Sequence, residues 1–197
     1  MDFLTDLCHL HDRKIILASQ SPRRIEMLRQ LGLRFEIRPA QTDEQPAVYS
    51  DAIDFVRHVA LEKAEWVWDR SPADLIIAAD TIVTMEGEIF GKPADRAAAR
   101  EVLLRLGGHT HEVITGICLK TPTMEILDQE ITRVTFHPLT EAEVDQYLDS
   151  GEPFDKAGAY GIQGLASLFV RRVEGCYFNV IGFPVARFYQ HLRELSW

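Results

Sequence analysis

A group of side chains suited to phosphate occurs near the start of the chain, in the segment SQSPRR at residues 19–24. Ser21 is a good N-cap and Pro22 a good first helical residue, so we expect a helix to begin here. A helix N-terminus has free backbone N–H groups and the positive end of the helix dipole, and it attracts anions. Arg23 and Arg24 add donors that suit phosphate oxygens. The alternative is an ordinary N-cap followed by surface arginines.

Two charged residues farther along the chain could act beside a bound phosphate. Asp80 interrupts the apolar run at residues 75–85, and a carboxylate at a strand end can bind a metal or polarise a water molecule. The alternative is a turn residue at the end of the strand. Lys92 follows a predicted hairpin in the segment GKP, and its compact charge suits a phosphate oxygen. Exposed loop lysines are common, so Lys92 alone is weak support.

A glycine-rich segment, DKAGAYGIQG at residues 155–164, could approach a ligand closely. Within it Gln163 offers both a donor and an acceptor, which matches the edge of uracil or thymine. The alternative is a structural loop, because the segment fits no common phosphate-loop pattern. Glu44 lies in a polar loop and Lys63 on a helix face, where solvated charges are the norm, so both are weak candidates from the residues alone.

Histidine and cysteine give little indication of a metal or redox site. His109 and His111 would point the same way on a strand, but a metal there lacks obvious further ligands. Cys8, Cys118 and Cys176 are odd in number and contain no CxxC pair, which disfavours a disulfide framework and favours a reducing cytosol. Cys118 and Cys176 lie in apolar segments and are interpreted as small core residues.

The elements that must position these residues alternate between strand and helix patterns. A leader is predicted over residues 1–13, followed by a single domain over 14–197. A capping box at Thr140 predicts one helix start, and a hairpin is predicted around Glu174-Gly175. The α/β pattern is mixed. Strands are predicted over 15–18, 34–38, 75–85, 112–119, 125–136, 168–173 and 177–181, and helices over 22–31, 52–68, 95–106, 140–148 and from Pro184.

Composition limits the classes of partner. The chain has 197 residues, 46% apolar and 26% charged, which is ordinary for a globular protein with a buried core. A net charge of −9 argues against a nucleic-acid binder, although a local Arg and Lys cluster can still hold a triphosphate with a shared divalent metal. No apolar run approaches the roughly 18 residues of a membrane span, and the N-terminus lacks a signal-peptide pattern. We therefore predict a cytoplasmic protein without membrane or nucleic-acid partners.

Taken together, these segments resemble the Maf family of nucleotide pyrophosphatases. They occur in the order found in that family, and the resemblance runs from about residue 15 to residue 185. Seven ordered motifs are specific as a set, although each one alone is not. The motifs are LASQSPRR (17–24), TDE (42–44), EKA (62–64), AADTIV (78–83), GKP (91–93), HEVITG (111–116) and DKAGAYGIQG (155–164).

The resemblance implies a fold and a reaction. The fold would be an elongated mixed α/β structure with a central cleft between two lobes, similar to the inosine triphosphate pyrophosphatases. The reaction would be hydrolysis of a nucleoside triphosphate between the α and β phosphates. It would need a divalent metal such as Mg, Mn or Co, and the enzyme would be a homodimer.

The resemblance also implies roles for single residues. Glu44 and Asp80 would hold the metal or activate water, with Asp80 as the proton acceptor, and Lys63 would support this acidic site. Glu44, Asp80 and Lys92 form the catalytic set. Ser21, Arg24 and Lys92 would hold the phosphates. Lys63 and Lys156 would also belong to the residues that bind the substrate.

Three positions bear on the choice of base. Arg23, Thr81 and Gln163 match the subgroup of the family that hydrolyses dTTP and UTP. The 7-methyl-GTP subgroup typically has an aromatic residue where Arg23 stands and a different residue where Thr81 stands. The sequence thus favours pyrimidine nucleotides, canonical or modified, and a 7-methyl-GTP pyrophosphatase is the alternative. A non-catalytic regulator of septum formation is a second alternative, which the retained acidic and basic residues disfavour.

Overall fold

The computed structural model describes residues 2–42 and 51–195. The strands in these ranges are β1 (Ile15–Leu17), β2 (Glu36–Ile37), β3 (Leu75–Met85), β4 (Glu88–Phe90), β5 (Thr110–Lys120), β6 (Glu125–Phe136) and β7 (Val170–Glu174). The α-helices are α1 (Phe3–Leu7), α2 (Pro22–Gln30), α3 (Ala52–Trp68), α4 (Arg96–Leu106), α5 (Glu141–Asp149), α6 (Tyr177–Ile181) and α7 (Val185–Leu192). Short 3₁₀ helices span Glu152–Asp155, Ala157–Ala159 and Leu165–Phe169.

The strands form a mixed sheet in the order β2-β1-β3-β5-β6-β7, with β4 paired to β3. β1 runs parallel to both β2 and β3, whereas β4 is antiparallel to β3 and β7 is antiparallel to β6. The mixed α/β fold class predicted from the sequence is confirmed. The predicted bounds of α3, β3 and β6 agree with the structure, because each segment carries a long, regular apolar pattern.

The chain divides into two compact units. Unit 1 comprises Met1–Asp80, Thr115–Gln129 and Gly182–Trp197, and unit 2 comprises Thr81–Ile114 and Glu130–Ile181. β3, β5 and β6 contribute residues to both. The separation of a leader at 1–13 from a domain at 14–197 stays a prediction.

The core of unit 1 forms where β1 pairs with β3. Ile16 lies opposite Ile76, and both are fully buried, as expected for parallel strands covered on both faces. Ala60 and Ala64 of α3 pack against these strands, and their small side chains let the helix approach closely. Cys118 of β5 belongs to the same cluster, which confirms its interpretation as a core residue.

The N-terminal helix α1 packs on the end of α2. The Thr5 hydroxyl and backbone N–H both donate to the Gly32 carbonyl, at 2.8 and 3.2 Å, and the Leu4 N–H donates to the Leu31 carbonyl at 2.9 Å. These bonds satisfy carbonyls that the end of α2 leaves without helical partners. No helix within the described ranges is long and apolar enough to span a membrane.

The prediction of a strand over residues 177–181 is wrong, because this segment forms the helix α6. β7 ends at Glu174, and Gly175 then takes a φ of +125° that turns the chain. The fully buried Asn179 donates its side-chain amide to the Val113 carbonyl at 2.9 Å, and this bond fixes α6 against β5. Cys176 consequently lies half-buried in the turn and not in a strand.

Candidate functional site

Asp80 is the sixth residue of the eleven-residue strand β3, so the prediction that it ends a strand is wrong. β3 continues to Met85 because its last residues pair with β4. Parallel pairing with β1, however, stops at Ile77. Asp80 therefore lies beyond the carboxyl end of β1, where ligands of parallel sheets usually bind.

Lys63 and Asp80 form a buried ion pair. The Lys63 Nζ lies 2.8 Å from the Asp80 Oδ1, and the two side chains are only 11% and 10% exposed. The expectation of a solvated Lys63 is wrong, because Lys63 shares the buried face of α3 with Val59 and Val67. Those neighbours, at i−4 and i+4, are the sequence signal that predicts its burial. Removing one member of such a pair typically costs about 3–5 kcal/mol.

Arg24 is buried, which excludes the surface-arginine alternative for this residue. Its Nε donates to the Gly182 carbonyl at 2.8 Å, and its Nη1 donates to the Ala79 carbonyl at 2.8 Å and to the Ser19 Oγ at 3.3 Å. The guanidinium thus joins the start of α2 to the residue that precedes Asp80. Arg23, by contrast, is half-buried.

Ser21 is the N-cap of α2 and Pro22 its first residue, as predicted. The Ser21 side chain makes no capping bond, and the Ser21 N–H donates to the Ser19 Oγ at 3.2 Å. The Ser21 hydroxyl therefore forms no capping hydrogen bond with the helix that it precedes. Ser19, from the same SQSPRR segment, orders both Ser21 and Arg24.

Unit 2 brings the GKP segment and the glycine-rich segment together. The Gly158 N–H donates to the Gly91 carbonyl at 3.1 Å, beside the exposed Lys92. Thr81, the first residue of this unit, is half-buried.

The glycines of the 155–164 segment serve the loop's own packing. A Cβ at Gly161 would lie 2.8 Å from the Lys156 Cε, and one at Gly158 would lie 2.7 Å from a Val83 methyl group. These contacts within the protein are enough to explain why glycine stands at both positions, without a bound ligand. The Lys156 Nζ donates to the Glu152 carbonyl at 2.6 Å and pairs with Asp155 at 2.5 Å.

Gln163 is exposed, and its side-chain amide hydrogen-bonds to no residue that the structure describes. The Gln163 side chain therefore does not brace the described part of its own loop. The amide is therefore available to a ligand.

His111 is almost fully buried, and its Nε2 lies 2.9 Å from the Tyr160 hydroxyl. Burial lowers the pKa of His111 to about 4, so the ring is neutral at ordinary pH. His109 lies just before β5, and its Nδ1 is 2.9 Å from the Gly107 carbonyl.

Within residues 2–42 and 51–195, no group of three or more His, Cys, Asp or Glu side chains is arranged to hold a metal ion. Glu44, the predicted partner of Asp80 at a metal, lies outside the described residues.

Comparisons with known proteins first define the fold class. The structure is similar to that of the Staphylococcus aureus Ham1 protein, with a TM-score of 0.53 and 14% identity over 92% of this chain and 98% of the other. At that identity the similarity concerns the fold alone.

The family follows from the sequence. The family model described as Maf-like protein matches residues 14–195, and this chain belongs to the Maf family. Three similar proteins are each named dTTP/UTP pyrophosphatase. That of Carboxydothermus hydrogenoformans is 49% identical over 93% of this chain and 100% of its own, that of Koribacter versatilis is 46% identical over 91% and 93%, and that of Bacillus anthracis is 45% identical over 93% and 96%.

Proposed function

We propose that this protein is a nucleoside triphosphate pyrophosphatase that cleaves dTTP and UTP, or modified pyrimidine nucleotides, between the α and β phosphates. The observation that carries the proposal is the near full-length similarity to dTTP/UTP pyrophosphatases, at 45% to 49% identity. The products would be the nucleoside monophosphate and pyrophosphate, which suits a role in clearing unwanted nucleotides from the pool.

Asp80 is proposed as the proton acceptor. One of its oxygens, Oδ1, is fixed by Lys63 at 2.8 Å, which sets the orientation of the carboxylate. An ionised carboxylate has about four acceptor positions, so the others can take the proton of a water that attacks the α-phosphorus. Breaking the α–β anhydride bond then releases pyrophosphate.

The donor set at Asp80 fits a divalent metal such as Mg, Mn or Co. Mg²⁺ is typically held by one or two carboxylates together with substrate phosphates, and Asp80 with Glu44 would supply that number. When bound, the metal would neutralise charge that develops on the pyrophosphate leaving group.

The phosphate contacts are proposed at Ser21 and Lys92, with Lys156 nearby in the glycine-rich segment. The uncapped Ser21 hydroxyl and the N-terminal amides of α2 suit an anion. Arg24 already donates to two carbonyls, so its contribution would include holding the start of α2 in place. Lys63 would act through Asp80.

Choice of base is assigned to Gln163, with Thr81 and Arg23 shaping the same preference. The amide of Gln163, which hydrogen-bonds to no residue that the structure describes, can donate to a pyrimidine carbonyl and accept from N3–H. Because the net charge is −9, a nucleotide fits better than a nucleic acid as the anionic partner. A cytoplasmic homodimer is proposed on the family resemblance.

A substrate panel tests the proposed function. Purified protein is incubated with dTTP, UTP, CTP and 7-methyl-GTP, each with Mg, Mn or Co, and the products are separated. We expect pyrophosphate and monophosphate from dTTP and UTP, and no turnover after chelation of the metal. Stepwise release of orthophosphate with accumulating diphosphate would contradict the reaction, and a preference for 7-methyl-GTP would contradict the choice of base.

A further inference from the structure

The turn that carries Gln163 is tied to one carboxylate, Glu152. This segment, residues 161–165, is called the Gln163 turn below. The Glu152 Oε2 accepts from the Leu165 N–H at 2.9 Å, at the far end of the turn. The Glu152 Oε1 accepts from the Tyr147 hydroxyl at 2.9 Å.

Tyr147 orients Glu152 beside the same turn. The Tyr147 hydroxyl donates to the Glu152 Oε1, which leaves the Oε2 to accept from the Leu165 N–H. Leu165 stands two residues from Gln163, so this carboxylate fixes the far end of the turn. The turn itself closes through the Gly164 N–H, which donates to the Gly161 carbonyl at 3.0 Å.

Close packing around the turn restricts where the Glu152 carboxylate can lie. A Cβ at Gly164 would lie 2.3 Å from the Glu152 carboxylate, so only glycine allows this approach. The Tyr147 ring is fixed edge-to-face on Phe169 at 5.2 Å between centroids. On the other side, Tyr160 is held by His111 at 2.9 Å and packs on Phe136. The turn is therefore supported by packed side chains, whereas the Gln163 amide has no partner among the described residues.

We propose that Glu152 and Tyr147 are positioning residues for base selection, which hold the Gln163 turn so that its amide is presented to the pyrimidine. This inference rests on the proposed function and adds a cause for its selectivity. A hydrogen bond discriminates between bases only if its donor and acceptor are pre-oriented, since ordering a free loop on binding would cost affinity for every base. Neither residue touches the substrate in this scheme.

The decisive variant is Tyr147→Phe, which removes one hydroxyl and keeps the ring on Phe169. We expect the ratio of kcat/KM for UTP to that for CTP to fall about 2- to 12-fold, the range of one lost hydrogen bond, mainly through KM for UTP. Glu152→Gln should act in the same direction, because its amide offers one acceptor oxygen for two donors. Tyr177→Phe, at an exposed tyrosine of the same unit, is the matched control and should leave the ratio unchanged.

A double-variant cycle separates this role from a general effect on stability. If Tyr147 acts through Gln163, Tyr147→Phe should not change the UTP to CTP ratio further in a Gln163→Ala background. An equal fall in both backgrounds, or an unchanged ratio in the single variant, would overturn the inference. A wild type that cleaves UTP and CTP equally would overturn it as well, while leaving pyrophosphate release intact. Absence of pyrophosphate release from every nucleotide would instead overturn the proposed function.

Amide hydrogen exchange provides a readout that needs no activity. The Leu165 amide should lose protection in Tyr147→Phe and Glu152→Gln, with the amides of unit 2 away from the turn unchanged. Unchanged protection at this amide would contradict the proposed support of the turn.

Discussion

At the scale of single residues, the Asp80 carboxylate has a structural role in its ion pair with Lys63 and a second, proposed role in the chemistry. Lys63 holds Oδ1, and both side chains are withdrawn from solvent by α3 and β3. The pair thus contributes to folding as well as to the proposed chemistry. A variant of either residue must therefore be judged by stability and by turnover together.

Asp80→Asn keeps the shape of the side chain and removes its charge. We expect kcat to fall at least about 10²-fold, because the amide cannot accept the proton from water. The melting temperature should fall too, since Lys63 is left as an uncompensated buried charge. Combining Asp80→Asn with Lys63→Met removes that charge and should recover stability but not turnover. Near wild-type turnover in Asp80→Asn would remove this residue from the mechanism.

Arg24→Lys tests the anchoring role of the guanidinium. A lysine cannot donate to the Gly182 carbonyl, the Ala79 carbonyl and the Ser19 Oγ with the planar geometry of arginine. We expect a loss of about 1–3 kcal/mol in the free energy of unfolding, measured by denaturant titration, together with lower kcat/KM. Arg23→Lys, at the half-buried neighbour, is the control and should retain stability. Equal stability of both variants would argue against the anchor.

At the scale of elements, helices and strands with strong local signals were predictable and those fixed by tertiary contacts were not. The capping box at Thr140 and Glu143 is present as predicted, because both partners lie within one turn of chain. α6 was predicted as a strand because its apolar residues suit either element, and the choice is decided by Asn179 contacting Val113, 66 residues away. The Lys63–Asp80 pair likewise depends on how α3 packs, which spacing along the chain does not reveal.

Gly116 marks where two elements approach most closely. A Cβ at this position in β5 would lie 2.3 Å from the Val56 carbonyl oxygen of α3. Gly116→Ala should therefore destabilise the protein by about 1–3 kcal/mol or more, because backbone atoms cannot move aside as a side chain can. Gly91→Ala, where a Cβ meets no atom within 4 Å, is the control. Thermal unfolding of both variants measures the difference, and similar melting temperatures would contradict the close approach.

At the scale of the whole molecule, stability should depend on pH through His191. Its Nε2 lies 2.7 Å from the Asp128 Oδ2 and its Nδ1 lies 3.0 Å from the Glu194 Oε2, so it joins α7 to β6. Burial acts to lower the pKa of His191, but the hydrogen bonds with Glu194 and Asp128 outweigh it and raise the pKa above its ordinary value. Its contribution is complete below the unfolded pKa of about 6.5 and is lost as pH rises through the folded pKa.

His191→Gln should therefore lower the melting temperature more at about pH 5.5 than at about pH 9. Asp128 stays ionised over this range, because its own pKa is lowered: burial opposes ionisation, but the hydrogen bonds from Arg187 and His191 outweigh it. His58→Gln, at an exposed surface pair with Glu62, is the control and should show a smaller pH dependence. A loss of melting temperature that is independent of pH would mean that His191 contributes by packing alone.

The hydrogen bond from Arg24 to the Gly182 carbonyl has a consequence for synthesis on the ribosome. It joins α2 to a residue 158 positions later along the chain. Translation proceeds from the N-terminus, so Arg24 is made long before its acceptor leaves the exit tunnel. Unit 1 includes residues 182–197, so it cannot finish folding while these residues are still being made. Until then, the Arg24 guanidinium lacks the Gly182 carbonyl as one of its acceptors. A chain cut short before residue 182 would lack that acceptor permanently, so premature termination should yield a product for proteolysis and not a partially active enzyme.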